Sequence, residues 1–122
     1  MPKIETVENF ISIVESNEHD KAIEEFYTLG ASMKENQSEP RVGRDNLLEN
    51  ERKVLSKVRT MESKCIHPVF IKDDHVVIRW YFKFEWKDGT TTEIEEIAHQ
   101  HWEGEYIREE RFFYDPKQLI PK

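Results

Sequence analysis

The stretch His75–Trp86 reads HVVIRWYFKFEW and carries an apolar residue at every even position. Val76, Ile78, Trp80, Phe82, Phe84 and Trp86 share one face, while Arg79, Lys83 and Glu85 fall on the other. A repeat of two belongs to a β-strand, whose successive side chains point to opposite sides. The stretch therefore predicts a long strand that buries its even face. Lys87-Asp88-Gly89 follows, and Asp-Gly is a strong hairpin signal, so Thr90–Trp102 is expected to run back alongside. Lys72-Asp73-Asp74 joins an earlier run, Met61–Phe70, and Glu103-Gly104-Glu105 leads to a last one, Tyr106–Tyr114. The second half reads as a meander of four strands.

The first half is helical. Val7, Phe10, Ile11 and Val14 recur at steps of three and four, with Thr6 as N-cap. Ser16–Asp20 breaks this helix; a second starts near Asp20, carries Ala22, Ile23, Phe26, Tyr27 and Leu29, and is expected to stop at Gly30. A short extended piece and a loop around Pro40 lead to a third helix after Gly43, with Leu47, Leu48, Val54, Leu55 and Val58 apolar. Helices followed by a run of strands make an α+β pattern, in one domain spanning 1–122.

Composition narrows the function classes. Lys and Arg number 18 against 25 Asp and Glu, a net charge of -7 that repels phosphate backbones and anionic lipid. Neither nucleic acid nor membrane is the expected partner. One cysteine, Cys65, excludes an intrachain disulfide and suits a reducing cytoplasm. The start, MPKIETVENF, lacks the apolar core of a leader or a span. The chain is expected to be cytoplasmic.

The later strands are harder to orient, because one bulge exchanges their faces. Ile94, Glu96, Ala98, Gln100 and Trp102 alternate with Glu93, Glu95, Ile97, His99 and His101. Arg108, Glu110, Phe112 and Tyr114 alternate with Glu109, Arg111, Phe113 and Asp115. His99 and His101 point the same way, a spacing that can ligate metal if a third ligand converges; their acidic face suggests an outer surface, and no metal site is assigned, while a register slip of one residue would turn both into the pocket as acid–base candidates. Cys65 reads as an inert strand thiol. Arg41, Arg44, Arg52, Lys53, Lys57 and Arg59 lie among acids and read as solvated ion pairs. No phosphate loop or dinucleotide fingerprint is present, so no cofactor is expected. Glu51 stands out: it lies four residues from both Leu47 and Leu55 on an apolar helix stripe, where it either lines a pocket or pairs with Tyr27 or Arg111.

VENFISIV (7–14), EEFYTLGASMKENQSEPRVGRDNLLEN (24–50) and IREERFFYDPKQL (107–119), in this order, resemble the nuclear transport factor 2-like superfamily, in its SnoaL-like and ketosteroid isomerase branch. The resemblance covers about residues 4 to 118. It implies a cone-shaped, barrel-like α+β fold, with three N-terminal helices on a strongly curved, mostly antiparallel sheet, a deep apolar pocket, and a homodimer formed through the outer sheet face. It places a carboxylate base at Glu35. In the isomerase branch a Tyr and a protonated Asp form an oxyanion hole; these positions fall on Phe10 and Ala98, which cannot donate, so 3-ketosteroid isomerisation by that route is not expected. Tyr27, Gln100 and Trp102 are expected as polar handles in a cavity walled by Trp80, Phe82, Phe84, Phe112 and Tyr114. The expected function is cofactor-free proton transfer, of cyclase or isomerase type, on a small apolar carbonyl compound, with Glu35 and Glu51 catalytic. The alternative is a non-catalytic domain that binds a small molecule or dimerises. Family fold alone does not choose between them.

Overall fold

A computed structural model describes residues 1–122. Three helices precede and pack on one six-stranded, curved sheet that does not close: α1 (Ile4–Glu15), α2 (His19–Phe26), β1 (Tyr27–Glu35), β2 (Arg41–Val42), α3 (Arg44–Leu55), β3 (Val58–Lys72), β4 (His75–Trp86), β5 (Thr91–Glu103) and β6 (Tyr106–Phe113), with a terminal 3-10 turn, Pro116–Leu119. The strand order is β2-β1-β6-β5-β4-β3. All neighbours are antiparallel except β1 and β6. The α+β class and the cone-like architecture are as expected from sequence.

The even face of β4 does what its alternation dictates. Val76, Ile78, Trp80 and Phe82 are buried against the helices, whereas Phe84 and Trp86, further along, are only partly covered. Burying a side chain of this kind stabilises by roughly 1.5–3 kcal/mol. Val7, Phe10, Ile11 and Val14 of α1 and Ala22 and Ile23 of α2 meet that face, closing the core with Trp102 and Ile107.

Three local expectations are corrected. α1 begins earlier than Thr6: its N-cap is Lys3, whose backbone N–H donates to Glu105 Oε1 across 3.1 Å. α2 ends at Phe26, not at Gly30, because Tyr27 is already extended (φ -106, ψ 144) and pairs with Ile107 of β6. Leu29 consequently points outward and is exposed. Val58 starts β3 rather than extending α3. The sheet thus has six strands rather than four, since pairing with β6 recruits the segment after α2. α3 follows Gly43, whose φ of 99 lies in the left-handed region that glycine enters freely.

The orientation of the later strands is now fixed. In β5, Thr92, Ile94, Glu96, Ala98, Gln100 and Trp102 face inward, and His99 and His101 face outward. In β6 the register slips where His101 meets Glu109 but Trp102 meets Ile107. Arg108 is the extra residue. Ile107 therefore points in on one side of the bulge, and Glu110 and Phe112 on the other. No helix is long and apolar enough to cross a membrane.

Candidate functional site

A cavity of about 350 Å³ opens between the helices and the upper half of the sheet. Along β4 its wall is a ladder of rings: Trp80 stacks on Phe82 (centroids 5.5 Å apart), and Phe84 on Trp86 (5.2 Å). Phe10, Ile23, Met33, Val54, Ile94 and Phe112 add to the apolar lining. Into this wall come four carboxylates from four elements: Glu35 at the end of β1, Glu51 on α3, Glu96 on β5 and Glu110 on β6. Arg41, His19, Asn50, Thr92 and Tyr27 are the other polar groups.

Each acid is held differently. Glu110 is buried, with the Tyr27 hydroxyl donating to its Oε1 and the Gln100 amide to its Oε2 (2.6 Å). The indole N–H of Trp102 donates to Gln100 Oε1 across 3.0 Å, which orients the amide so that its NH2 end meets Glu110. Burial pushes the Glu110 carboxyl up to about 7, against the two donors, which favour its charged form; Glu51 adds to the rise. Glu96 makes no hydrogen bond or ion pair. Burial first, then repulsion from Glu110, Glu35 and Glu51, raises it to about 8. Glu35 accepts from the Tyr114 hydroxyl (3.1 Å), and Asn36, next along, locks this end of β1 to β6: its N–H donates to the Phe112 carbonyl (2.8 Å). Burial and Glu35 together push the Tyr114 phenol up to about 12. Glu51 lies 3.4 Å from His19 Nδ1, whose Nε2 contacts Ser63 Oγ at 2.8 Å.

Of the residues singled out from sequence, Glu35, Glu51, Tyr27, Trp80, Phe82, Phe84 and Phe112 line the cavity. Gln100 and Trp102 do not; both are fully buried behind Glu110. Tyr114 reaches the cavity only through Glu35. The expected partners of Glu51 are corrected: Tyr27 is taken by Glu110, and Arg111 lies on the far side, donating to the Asn36 carbonyl (3.1 Å) and covering the Phe113 ring (4.7 Å). The two expected oxyanion positions, Phe10 and Ala98, are both buried and apolar. Sequence reasoning passed over Glu96 and Glu110, although an acid on an otherwise inward apolar face was the available signal.

Outside the cavity, His99 Nε2 lies 3.0 Å from His75 Nδ1 and His101 stacks on His75, all on the outer sheet face. Cys65 is buried, and burial with the nearby Glu15 carboxylate pushes its thiol up to about 11. Arg52 pairs with Asp20 and Glu24, Lys53 with Glu49, and Arg59 with Glu85.

No protein-family model matches the chain, and no curated protein matches it in sequence. Solved structures do match. The chain has the nuclear transport factor 2-like fold. Its neighbours within that fold include SnoaL-like and ketosteroid isomerase-like structures. A structure from Mesorhizobium loti, described as a SnoaL-like polyketide cyclase, superposes with a TM-score of 0.75 at 17% identity, over 90% of this chain and 97% of that one. A protein of ketosteroid isomerase-like fold from Catenulispora acidiphila gives 0.77 at 12%, over 97% and 91%. An epoxide hydrolase of the LEH-like type from M. tuberculosis gives 0.76 at 14%, over 95% and 84%.

Proposed function

We propose that the protein catalyses cofactor-free proton transfer on a small, largely apolar carbonyl compound bound in the cavity. The observation that carries this reading is Glu110: a buried carboxyl in an aromatic cavity wall, held as an acceptor by Tyr27 and Gln100. A group that titrates near 7 is matched to taking a proton at neutral pH and giving it back. Glu96, which holds its proton to about 8, can donate a hydrogen bond to the carbonyl oxygen as the enolate forms. This pairing replaces the oxyanion hole that Phe10 and Ala98 cannot make. Glu35, the base the resemblance implies, shares the wall and accepts from Tyr114; the base role is proposed for Glu110 because its carboxyl titrates near 7.

Hydrogen–deuterium exchange at the α-carbon of small cyclic ketones in D2O, followed by NMR, tests the reading. The parent protein should accelerate exchange, and Glu110→Gln should lose about 10²–10⁴-fold of it. Ketone binding with no exchange would favour the alternative, a domain that holds its ligand without turning it over.

We also propose that a second copy of the chain covers the outer sheet face. Phe70, Ile97 and Phe113 are exposed there, and Ile97 pairs with Phe113 across β5 and β6. Exposed apolar side chains that adjoin one another on one sheet face mark an interaction site.

A further inference from the structure

The cavity gathers more acidic side chains than basic ones. Glu35, Glu51, Glu96 and Glu110 come from four separate elements, and the only Lys or Arg on the wall is Arg41, an exposed residue of β2. Glu96 has no protein partner at all, although its neighbours on the inward face of β5 are Ile94 and Ala98, both buried. Glu96 meets that burial by keeping its proton, which leaves Glu35 and Glu51, at the end of β1 and on α3, to face a ligand's charge. The aromatic ladder supplies no countercharge to them. Trp80, Phe82, Phe84 and Trp86 use their faces on one another, so they provide shape and dryness rather than charge. The volume, about 350 Å³, is at the small end of ligand sites, which run roughly 300–1,000 Å³.

We infer that the ligand of this cavity carries a positively charged nitrogen: a small quaternary or protonated amine whose charge lies against Glu35 and Glu51 and whose alkyl body lies against the aromatic ladder. This deepens the function proposed above and rests on it for the site, narrowing the carbonyl compound to one with a cationic nitrogen. A cationic nitrogen near a carbonyl also makes the adjacent C–H more acidic, which suits Glu110 as base. The same wall disfavours carboxylates and phosphates, because each would meet four acids and one guanidinium.

The test uses two molecules of one shape. Choline and 3,3-dimethylbutan-1-ol differ in whether a positive nitrogen or a neutral carbon bears the three methyl groups. Binding of each is followed by the fluorescence of Trp80 and Trp86 and by calorimetry at low salt. Choline should bind at least tenfold more tightly than the alcohol, and added salt should weaken choline alone. Glu51→Gln and Glu35→Gln should each weaken choline several-fold and leave the alcohol unchanged. Glu8→Gln, on the exposed face of α1, controls for the overall charge of the chain and should change neither. Equal or tighter binding of the alcohol, or a Glu8→Gln effect as large as that of Glu51→Gln, would overturn the inference. Ketone exchange by the parent protein is read separately: if it persists while choline fails, the cation is wrong and the proton-transfer site stands.

Discussion

Gln100 donates its side-chain amide to Glu110 Oε2 across 2.6 Å, and both residues are buried. Because Trp102 holds the other end of the amide, Glu110 meets a donor that cannot turn away. Behind the cavity wall, two residues thus set how an acid in that wall behaves.

Replacing Gln100 by Leu removes one of two donors that favour the charged form of Glu110, so its pKa should rise above about 7. The change also strands the Trp102 indole N–H, at a cost of about 1–3 kcal/mol. Carboxyl titration by NMR and urea denaturation read the two effects. A Glu110 pKa that falls or stays put would contradict the assignment.

Stability should decline with rising pH across the neutral range. Glu96 and Glu110 titrate near 8 and 7 when folded, against an ordinary value of 4.5. Between those limits the folded chain holds protons that the unfolded chain has released, so stability is greatest below about 4.5–5, so far as these two groups decide it, and is lost as pH climbs through 7 and 8. A tenfold difference in proton affinity is about 1.4 kcal/mol, enough to lower Tm by several degrees between pH 5.5 and 8.5. Glu96→Gln should flatten that slope.

Activity should have a narrow bell-shaped pH profile. It rises as Glu110 loses its proton around 7 and falls as Glu96 loses its own around 8. Because the two repel each other, the limbs describe the pair rather than either residue. Glu96→Gln should remove the upper limb, which rate measurements on ketone exchange would show.

α3 is held by one fully buried residue, by Val54 in the cavity wall and by Arg52 on Asp20 and Glu24. Leu47 is that buried residue, and this helix carries Glu51 to the cavity. Leu47→Ala should cost about 2–5 kcal/mol and loosen Glu51 from His19. Denaturation gives the first figure, and the His19 imidazole resonance reports the second.

The outer face offers a direct check of assembly. Ile97→Lys puts a charge beside Phe113 and Arg79, its partners in β6 and β4. It should convert a dimer to monomer in sedimentation velocity while leaving the fold intact, since Ile97 contributes little to the core.

The sequence by itself determined whatever depends on local period and turn chemistry. The even face of β4, the turn at Asp88-Gly89 and the apolar stripe of α1 each follow from neighbours a few residues apart, and each is where the alternation and spacing place it. Tertiary structure decided the site. Tyr27 reads as the tail of a helix, and becomes a strand residue only because β6, about 80 positions later, offers a parallel edge that the local sequence does not contain. Glu110 points inward on the far side of a bulge at Arg108, where one extra residue exchanges the faces of the strand. Four acids far apart in the chain meet in one cavity because the sheet curves over the helices. Period is a property of adjacent residues, while a charge cluster is a property of distant ones. Only the closed packing of the helices on the sheet brings it into being.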